Sequence, residues 1–577
     1  MGYDLLFQQA VRLQEAGELK QAEDLYRQIL ETAPNNADVL NLMGLIAQAK
    51  GLHNQACEWF YKAVKQAPNA APFYFNLGFS LYNDNKPYEA IDAFQKSLVL
   101  APEVKETHNY LAEVYRSLGD KDKAIHHYSA ALKLAPDYTE AQINLCFITV
   151  DTAKLEQIVS ACPDNAMAVY YLSLLYRNQN RNEEAFNLLQ AHDMDIFDLK
   201  LALGELALQL APEHAENYFQ SALKLNPDSP HALINLGNFA TVRQDFITAE
   251  RYYKRAIELS PDEPAAHLGY ADMLCRANRR AEALEEYRAA VLLNPDSPEL
   301  SNNLGVLLKE TGDYTEALGL FFNAFTRAPQ TDEYALNIAE TLTLLYYKDP
   351  DTAKKIAANW YSQAPNNIFA ARINAAFRGE LSDNNQIYTQ KLFDNFADNY
   401  ELVLANIGYE LPRRFRGITG DVEGLIVDLG CGSGLVGVAY KTDFTRLVGV
   451  DISEKMLAKA AEKHCYERLI CQDALEFCVQ KLPTLHPQLI TAADVCCYLN
   501  DLTPLLQACT PCPIIFSIEN APAEVAQAKL SASGRYQHNP WFVTELLSSL
   551  YATVQSQTLT LRQENGNPVT GTVFYAQ

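Results

Sequence analysis

Residues 428–434 read Asp-Leu-Gly-Cys-Gly-Ser-Gly, directly after the apolar run Leu425-Ile426-Val427. Gly430, Gly432 and Gly434 strip side chains from one turn, so a ligand can lie against bare backbone there. An apolar, helix-compatible run follows from Leu435. A buried strand, a glycine turn and a helix start together form a cradle for a nucleotide-like cofactor. The spacing is G-x-G-x-G, with Leu435 following the third glycine, whereas dinucleotide sites use G-x-G-x-x-G. Leu447-Val448-Gly449-Val450 is a second buried strand, and Asp451 at its end is placed to accept hydrogen bonds from both hydroxyls of a ribose. A third segment, Arg468 to Ala474, also ends in an acid, Asp473.

The elements needed to position these groups continue downstream. Leu489 to Val495 and Ile514 to Ile518 read as a fourth and a fifth strand. Val554 to Leu561, an Asn565-Gly566 turn and Gly571 to Ala576 read as a closing antiparallel hairpin. Asn539 and Pro540 read as N-cap and first residue of a helix running to about 550. The segment Ser531 to Asn539 before it, carrying Arg535, Tyr536 and His538, reads as a loop at the carboxyl edge of the sheet.

The segment Asp428 to Gly434 resembles motif I of the class I S-adenosylmethionine methyltransferases, D/E-x-G-x-G-x-G, and the likeness extends over about 390–577. It implies a parallel Rossmann-like sheet with a terminal antiparallel hairpin and S-adenosylmethionine as cofactor. The contacts it implies are Asp428, Gly430, Cys431, Gly432, Gly434, Asp451 and Ile452, with Asp473 and Ala474 at the adenine and Asp494 in the motif IV region. Residues 391–408 resemble the F-D-x-x-A-x-x-Y segment that covers the cofactor in small-molecule methyltransferases, which makes Phe393, Phe396 and Tyr400 lid residues. The same positions fall at helical spacing and suit a helix packed on the sheet. The Gly534-Arg535-Tyr536-x-His538 run, together with Ala492-Ala493-Asp494, resembles bacterial predicted methyltransferases that also carry tetratricopeptide repeats.

Methyl transfer from a sulfonium depends mainly on aligning nucleophile and methyl group. An alcohol or acid acceptor also needs a base, for which His538 is the candidate, with Tyr536 or Tyr498 orienting it. The Asn/Asp-Pro-Pro-Tyr/Phe motif of amino-directed enzymes is absent at the motif IV position, which weakens an exocyclic-amine or amide acceptor.

The preceding two thirds of the chain is periodic. Pro34, Pro68, Pro102 and Pro136 stand 34 residues apart, as do Pro227, Pro261, Pro295 and Pro329, with Pro365 following after 36. A glycine recurs at Gly44, Gly78, Gly237 and Gly305, and alanine recurs at Ala56, Ala90, Ala124, Ala215, Ala249, Ala283 and Ala317. Period and motif resemble the tetratricopeptide repeat, in which two amphipathic helices cross at small residues and proline ends the second. Such units bury their faces only against neighbours and stack into an all-α solenoid with a concave groove. The reading is a first repeat block over 1–136, irregular or eroded units over 137–200, a second block over 201–366, a helical linker and lid over 367–420, and the methyltransferase domain over 421–577.

Asn76, Asn144, Asn235, Asn303 and Asn337 precede the crossing position by two residues. A ladder of carboxamides there can hold an extended peptide by its backbone. A similar ladder serves the repeat domain of O-linked N-acetylglucosamine transferases, which this array resembles.

The net charge of −24 repels phosphate backbones, so nucleic acid is an unfavourable substrate. The short basic group Arg413, Arg414 and Arg416 reads as a solvated loop. The twelve cysteines follow no framework spacing, and Cys509-x-x-Cys512 lacks a second ligand pair, so no metal site is expected. Without a signal segment or a membrane-length apolar run, a reducing cytoplasmic location is expected. Three functions remain open. One is a methyltransferase whose repeats recruit a protein or peptide as substrate or partner. The second is a small-molecule methyltransferase that uses its repeats for assembly. The third is a non-enzymatic scaffold with an inactive methyltransferase-like domain. Oligomeric state is not legible.

Overall fold

A computed structural model describes residues 3–382, 385–564 and 567–577. The chain divides into two compact units, Met1–Leu259 and Ser260–Gln577.

The first unit is a solenoid of antiparallel helix pairs, beginning with Tyr3–Glu15 and Leu19–Thr32 and ending with Pro230–Val242 and Phe246–Leu259. The small residues sit where the helices of a pair cross. A Cβ on Gly237 would stand 2.8 Å from the Tyr253 ring of the partner helix, and one on Gly44 would stand 2.5 Å from Phe60. Glycine therefore allows a large ring to fill the crossing, and both rings are fully buried. Side-chain caps set several helix starts: Asn36, Asn165 and Ser229 accept from Val39, Ala168 and Ala232 N–H.

The stretch 137–200 is helical throughout, with pairs Thr139–Thr149/Thr152–Ala161 and Ala166–Asn178/Asn182–Ala191. The second helix of each pair has 10 residues, against 14 in Lys121–Leu134. This shortening accounts for the loss of the 34-residue register.

The second unit opens with further pairs, Pro264–Arg276/Arg280–Leu293, Pro298–Thr311/Tyr314–Arg327 and Asp332–Lys348/Pro350–Gln363. Helix Ile368–Arg378 follows, then the short helices Asn385–Phe396, Tyr400–Asn406 and Leu411–Thr419. The strands are β1 (Gly424–Leu429), β2 (Thr445–Asp451), β3 (Arg468–Cys471), β4 (Leu489–Ala492), β5 (Ile514–Asn520), β6 (Ala528–Leu530), β7 (Tyr536–His538), β8 (Val554–Glu564) and β9 (Asn567–Ala576). They form one sheet in the order β3-β2-β1-β4-β5-β7-β6, with β9 also paired to β5 and β8 to β9. Strands β3, β2, β1, β4 and β5 run parallel. Strand β9 runs antiparallel to β5 from Ile514↔Ala576 to Glu519↔Gly571 and completes the terminal hairpin with β8. Residues Asn565 and Gly566, read as its turn, lie outside the described residues.

The order changes direction between β1 and β4, so the carboxyl ends of β1, β2 and β4 flank the crevice where open α/β sheets bind ligands. The segment read as a loop at 531–539 is instead a small hairpin. Strand β7 pairs with the end of β5 at Glu519↔Gln537 and Asn520↔His538, and β6 pairs antiparallel with β7. Among the described residues, no helix is long and apolar enough to cross a membrane.

Candidate functional site

The glycine turn after β1 holds Gly430, Gly432 and Gly434 at φ +61°, +54° and +92°, a region that side chains disfavour. A Cβ on Gly430 would also stand 2.4 Å from Val495 Cγ2. The turn is fixed from β2: Gly432 N–H donates to Asp451 Oδ2 at 2.8 Å, and Ser453 N–H donates to Oδ1 at 2.9 Å. Burial raises the Asp451 carboxyl, and backbone N–H groups of Ser453, Gly432 and Ile452 oppose that rise.

Above this turn lies a cavity of about 700 Å3, its solvent-open part included. Gly430, Gly432, Asp451, Ile452, Asp473, Ala474 and Asp494 all line it. Phe393 and Tyr400 line it from the short helices, and Tyr498 from a turn after β4. Their rings meet edge to face, Phe393 with Tyr400 at 5.9 Å and with Tyr498 at 5.3 Å. Gln472 also lines the cavity, and its buried Oε1 has no hydrogen-bond partner among the described residues.

Other sequence-selected residues are placed elsewhere. Asp428 is fully buried within β1, where Oδ2 accepts from Tyr466 OH at 2.6 Å and Oδ1 from Thr491 Oγ1 at 2.7 Å. It supports the turn from behind and does not line the cavity; nor do Cys431 and Gly434. Cys431 is buried, and Gly434 packs against Tyr466 and Ala460.

The reading of His538 as a base and Tyr536 as its orienting group is corrected. On β7 both point inward, at 1% and 0% exposure. His538 Nε2 faces the Cys496 carbonyl at 3.0 Å, and burial lowers its pKa, so it is a neutral donor holding the turn at 496–498. Tyr536 OH donates to Ser382 O at 2.9 Å and accepts from Ser382 N–H at 3.1 Å. Tyr498 alone of the three reaches the cavity. Its OH accepts from Arg535 Nη1 at 2.9 Å, and burial keeps it a phenol by raising its pKa well above the ordinary tyrosine value.

Phe393, Tyr400, Asp494 and Tyr498 line a second, larger cleft of about 1360 Å3, again counting its solvent-open part. Phe396 lines only this cleft. The cleft is also lined by Leu336, Ala339 and Thr343 of the last helix pair and by Ile373 of the helix after it. Arg535 and Arg562 lie at its polar end, and both donate to the buried carboxylate of Glu519. Burial alone would raise Glu519, but the two guanidiniums overcome it and hold the carboxyl below its ordinary value. Sequence reading missed this trio. The available signal was a carboxylate closing the apolar strand Ile514-Ile515-Phe516-Ser517-Ile518-Glu519.

The asparagine ladder is largely engaged between repeats. Asn76 Nδ2 donates to Asn41 Oδ1 at 3.0 Å, Asn144 to Glu113 Oε1 at 3.2 Å, and Asn337 to Asn302 Oδ1 at 2.9 Å. Asn235 and Asn303 are half-buried. Among the described residues, no group of three or more His, Cys, Asp or Glu side chains is arranged to hold a metal ion.

A parallel sheet with an antiparallel terminal hairpin, a glycine turn after its first strand and an acid after its second define a methyltransferase fold. A methyltransferase-domain family model matches residues 427–512, and tetratricopeptide-repeat models match 7–71, 106–138, 199–264 and 243–304. The chain thus joins tetratricopeptide repeats to a methyltransferase domain. It is similar to protein FlbA of Caulobacter vibrioides, 25% identical over 153 residues, covering 26% of each chain. It is also similar to the probable UDP-N-acetylglucosamine–peptide N-acetylglucosaminyltransferase SPINDLY of Hordeum vulgare, 29% identical over 140 residues, covering 23% of this chain and 15% of that one. The chain therefore spans about a quarter or less of the length of these relatives. Among solved structures, a tetratricopeptide repeat protein from Parabacteroides merdae is similar at 16% identity and TM-score 0.38, over 41% of this chain and 97% of that one.

Proposed function

We propose that this chain is a cytoplasmic S-adenosylmethionine-dependent methyltransferase whose repeats recruit a protein or peptide as substrate or partner. The observation that carries the reading is the coupling of Gly432 N–H to Asp451 Oδ2 in the wall of a cavity that Gly430, Asp451 and Asp473 line together. The residues present fit the cofactor. The bare backbone at Gly430 and Gly432 suits its methionine portion, Asp451 its ribose hydroxyls, and Asp473, Ala474 and the partnerless Gln472 Oε1 its adenine. When bound, S-adenosylmethionine supplies a methyl group on a sulfonium, already a good leaving group. The chain supplies position: the Phe393, Tyr400 and Tyr498 rings exclude water, and Asp494 lies where cavity and cleft share a wall. Protein recruitment is supported by the repeats and by the relatedness to SPINDLY, whose name records a peptide acceptor.

A thermal-shift titration with S-adenosylmethionine tests the reading. Ligand at a hundredfold its Kd stabilises the folded state by about 2.7 kcal/mol. Absence of any shift at saturation sinks it.

A further inference from the structure

Building on that reading, we propose that the larger cleft is the methyl-acceptor site and that it takes a neutral hydroxyl group on an apolar body. Three observations converge. First, the cleft and the glycine-turn cavity share Phe393, Tyr400, Asp494 and Tyr498, so an acceptor in one reaches a methyl donor in the other across a common wall. Second, much of the cleft's lining is apolar, with Leu336 and Ala339 from the last helix pair, Ile373 from the helix after it, and Phe396, Leu404 and Ile407 from the segment of short helices. Burying a hydrocarbon or aromatic group there is favourable.

Third, the fixed charges of the cleft are already balanced. Arg535 and Arg562 share Glu519, and Asp494 Oδ2 lies 3.5 Å from Arg535 Nη2. At the repeat end Glu340 is paired with Lys309 at 2.9 Å. Two guanidiniums thus meet two carboxylates, and the remaining acid has its own ammonium. A carboxylate or ammonium acceptor would bring a charge that no side chain of the cleft is left to pair, and burying a charge without a partner side chain is strongly unfavourable. A hydroxyl carries no such penalty.

Asp494 is the group that meets the hydroxyl. Its backbone is held at φ +57°, uncommon for a non-glycine residue, and its N–H donates to Ser517 Oγ at 3.0 Å. In the step, the acceptor oxygen forms a bond to the methyl carbon as the carbon–sulfur bond breaks. The bonding pair remains on sulfur, and the hydroxyl proton, hydrogen-bonded to the Asp494 carboxylate, leaves to solvent through the open part of the cleft. The repeats therefore contribute a wall of the acceptor site in addition to recruiting partners.

The test uses the full chain with S-adenosylhomocysteine present and follows fluorescence of 2-naphthol, 2-naphthoate and 2-naphthylmethylamine. Saturable 2-naphthol binding is expected, with both charged analogues weaker by about tenfold or more. Ala339→Trp, on the repeat wall, should abolish naphthol binding while the S-adenosylmethionine thermal shift persists. Val403→Trp, at a partly exposed position of the same cleft, gives the same readout at a site tolerant of bulk. Naphthol binding that survives both variants, or a charged analogue that binds as tightly, overturns the proposal. A missing thermal shift in the wild type instead overturns the cofactor reading. Tritiated methyl donor in source-cell lysate then separates the sources. Label recovered as a methyl ether among small molecules assigns a free hydroxyl compound, and as a methyl ether in protein it assigns a hydroxyl side chain. Label recovered as methyl ester or methylamine overturns the hydroxyl assignment.

Discussion

Arg372, on helix Ile368–Arg378, grips the Gly534 carbonyl of the β6–β7 hairpin with two nitrogens, Nε at 3.0 Å and Nη2 at 2.8 Å. Its guanidinium lies over the rings of both Tyr388 and Tyr536, 4.7 and 4.6 Å from their centroids, and the residue is 1% exposed. A side chain between the repeats and the lid thus fixes a turn whose next residue is Arg535. That geometry ties the helix after the final repeat pair to the β6–β7 hairpin of the sheet. Deleting residues 1–366 would remove the cleft-lining residues Leu336, Ala339 and Thr343, so such a truncation confounds the proposed recruitment with loss of the proposed acceptor site.

Replacing Arg372 with Met removes both bonds to the Gly534 carbonyl in a buried setting. An unsatisfied buried acceptor costs about 1–3 kcal/mol. The urea midpoint of the full chain should fall accordingly. Arg372→Lys should recover only part of the loss, because an ammonium cannot reproduce the two-nitrogen fork. Equal midpoints for the Met variant and wild type would show that the clamp contributes nothing.

Gly534 itself carries φ +78°, and a Cβ there would stand 3.1 Å from Tyr388 OH. Gly534→Ala therefore strains the hairpin backbone and presses on the lid helix that carries Tyr388. We expect a stability loss of about 1 kcal/mol or more, and acceptor turnover reduced more than S-adenosylmethionine affinity. Calorimetric melting and a cofactor titration on the same variant separate the two effects. An unchanged melting temperature would contradict the strain argument.

Asp451 is expected to behave differently. Its carboxylate holds Gly432 N–H and Ser453 N–H, so Asp451→Ala removes both supports of the turn together with the proposed ribose contact. The cofactor-induced thermal shift should disappear, while Asp451→Asn keeps an acceptor for one N–H and should retain a diminished shift. Retention of the full shift in the alanine variant would place the cofactor elsewhere.

The parallel sheet and its closing hairpin were legible because buried strands announce themselves as short apolar runs ending in acids or turn residues. The repeats were legible because their small residues recur at one period, and the register departs where second helices shorten to 10 residues and where Asp332–Lys348 lengthens to 17. Which residues share one cavity was legible where the motif is local, as at Gly430, Gly432, Asp451 and Asp473. It was not legible where contacts join distant segments. Nothing in sequence links Arg372 to Gly534, 162 positions away, or Glu519 to Arg562. His538 is misleading in sequence because Arg-Tyr-Gln-His has the polarity of a loop. Its burial alternates, with Tyr536 and His538 inward and Gln537 half-buried between them, which is the period of a strand. Asp428 misled for the opposite reason. It fits the motif, yet Tyr466 and Thr491 occupy its carboxylate from behind the turn.

That burial gives Asp428 a measurable signature. Removal from water pushes its carboxyl up to about 7, against the hydrogen bonds from Tyr466 and Thr491, from an ordinary value of 3.8. The raised value means the native state binds this proton more tightly than the unfolded chain does. Its favourable contribution is complete below pH 3.8 and is lost as pH rises through about 7. A shift of about three units corresponds to a tilt of roughly 4 kcal/mol across that window. Asp428→Asn cannot titrate, and its amide can still accept from one hydroxyl and donate to the other. The difference in unfolding free energy between variant and wild type should therefore grow in favour of the variant from pH 4 to pH 7.5. Denaturant melts at closely spaced pH values check this, since other carboxylates cancel in the difference. A difference that stays flat across the window would mean that Asp428 remains ionised in the folded protein.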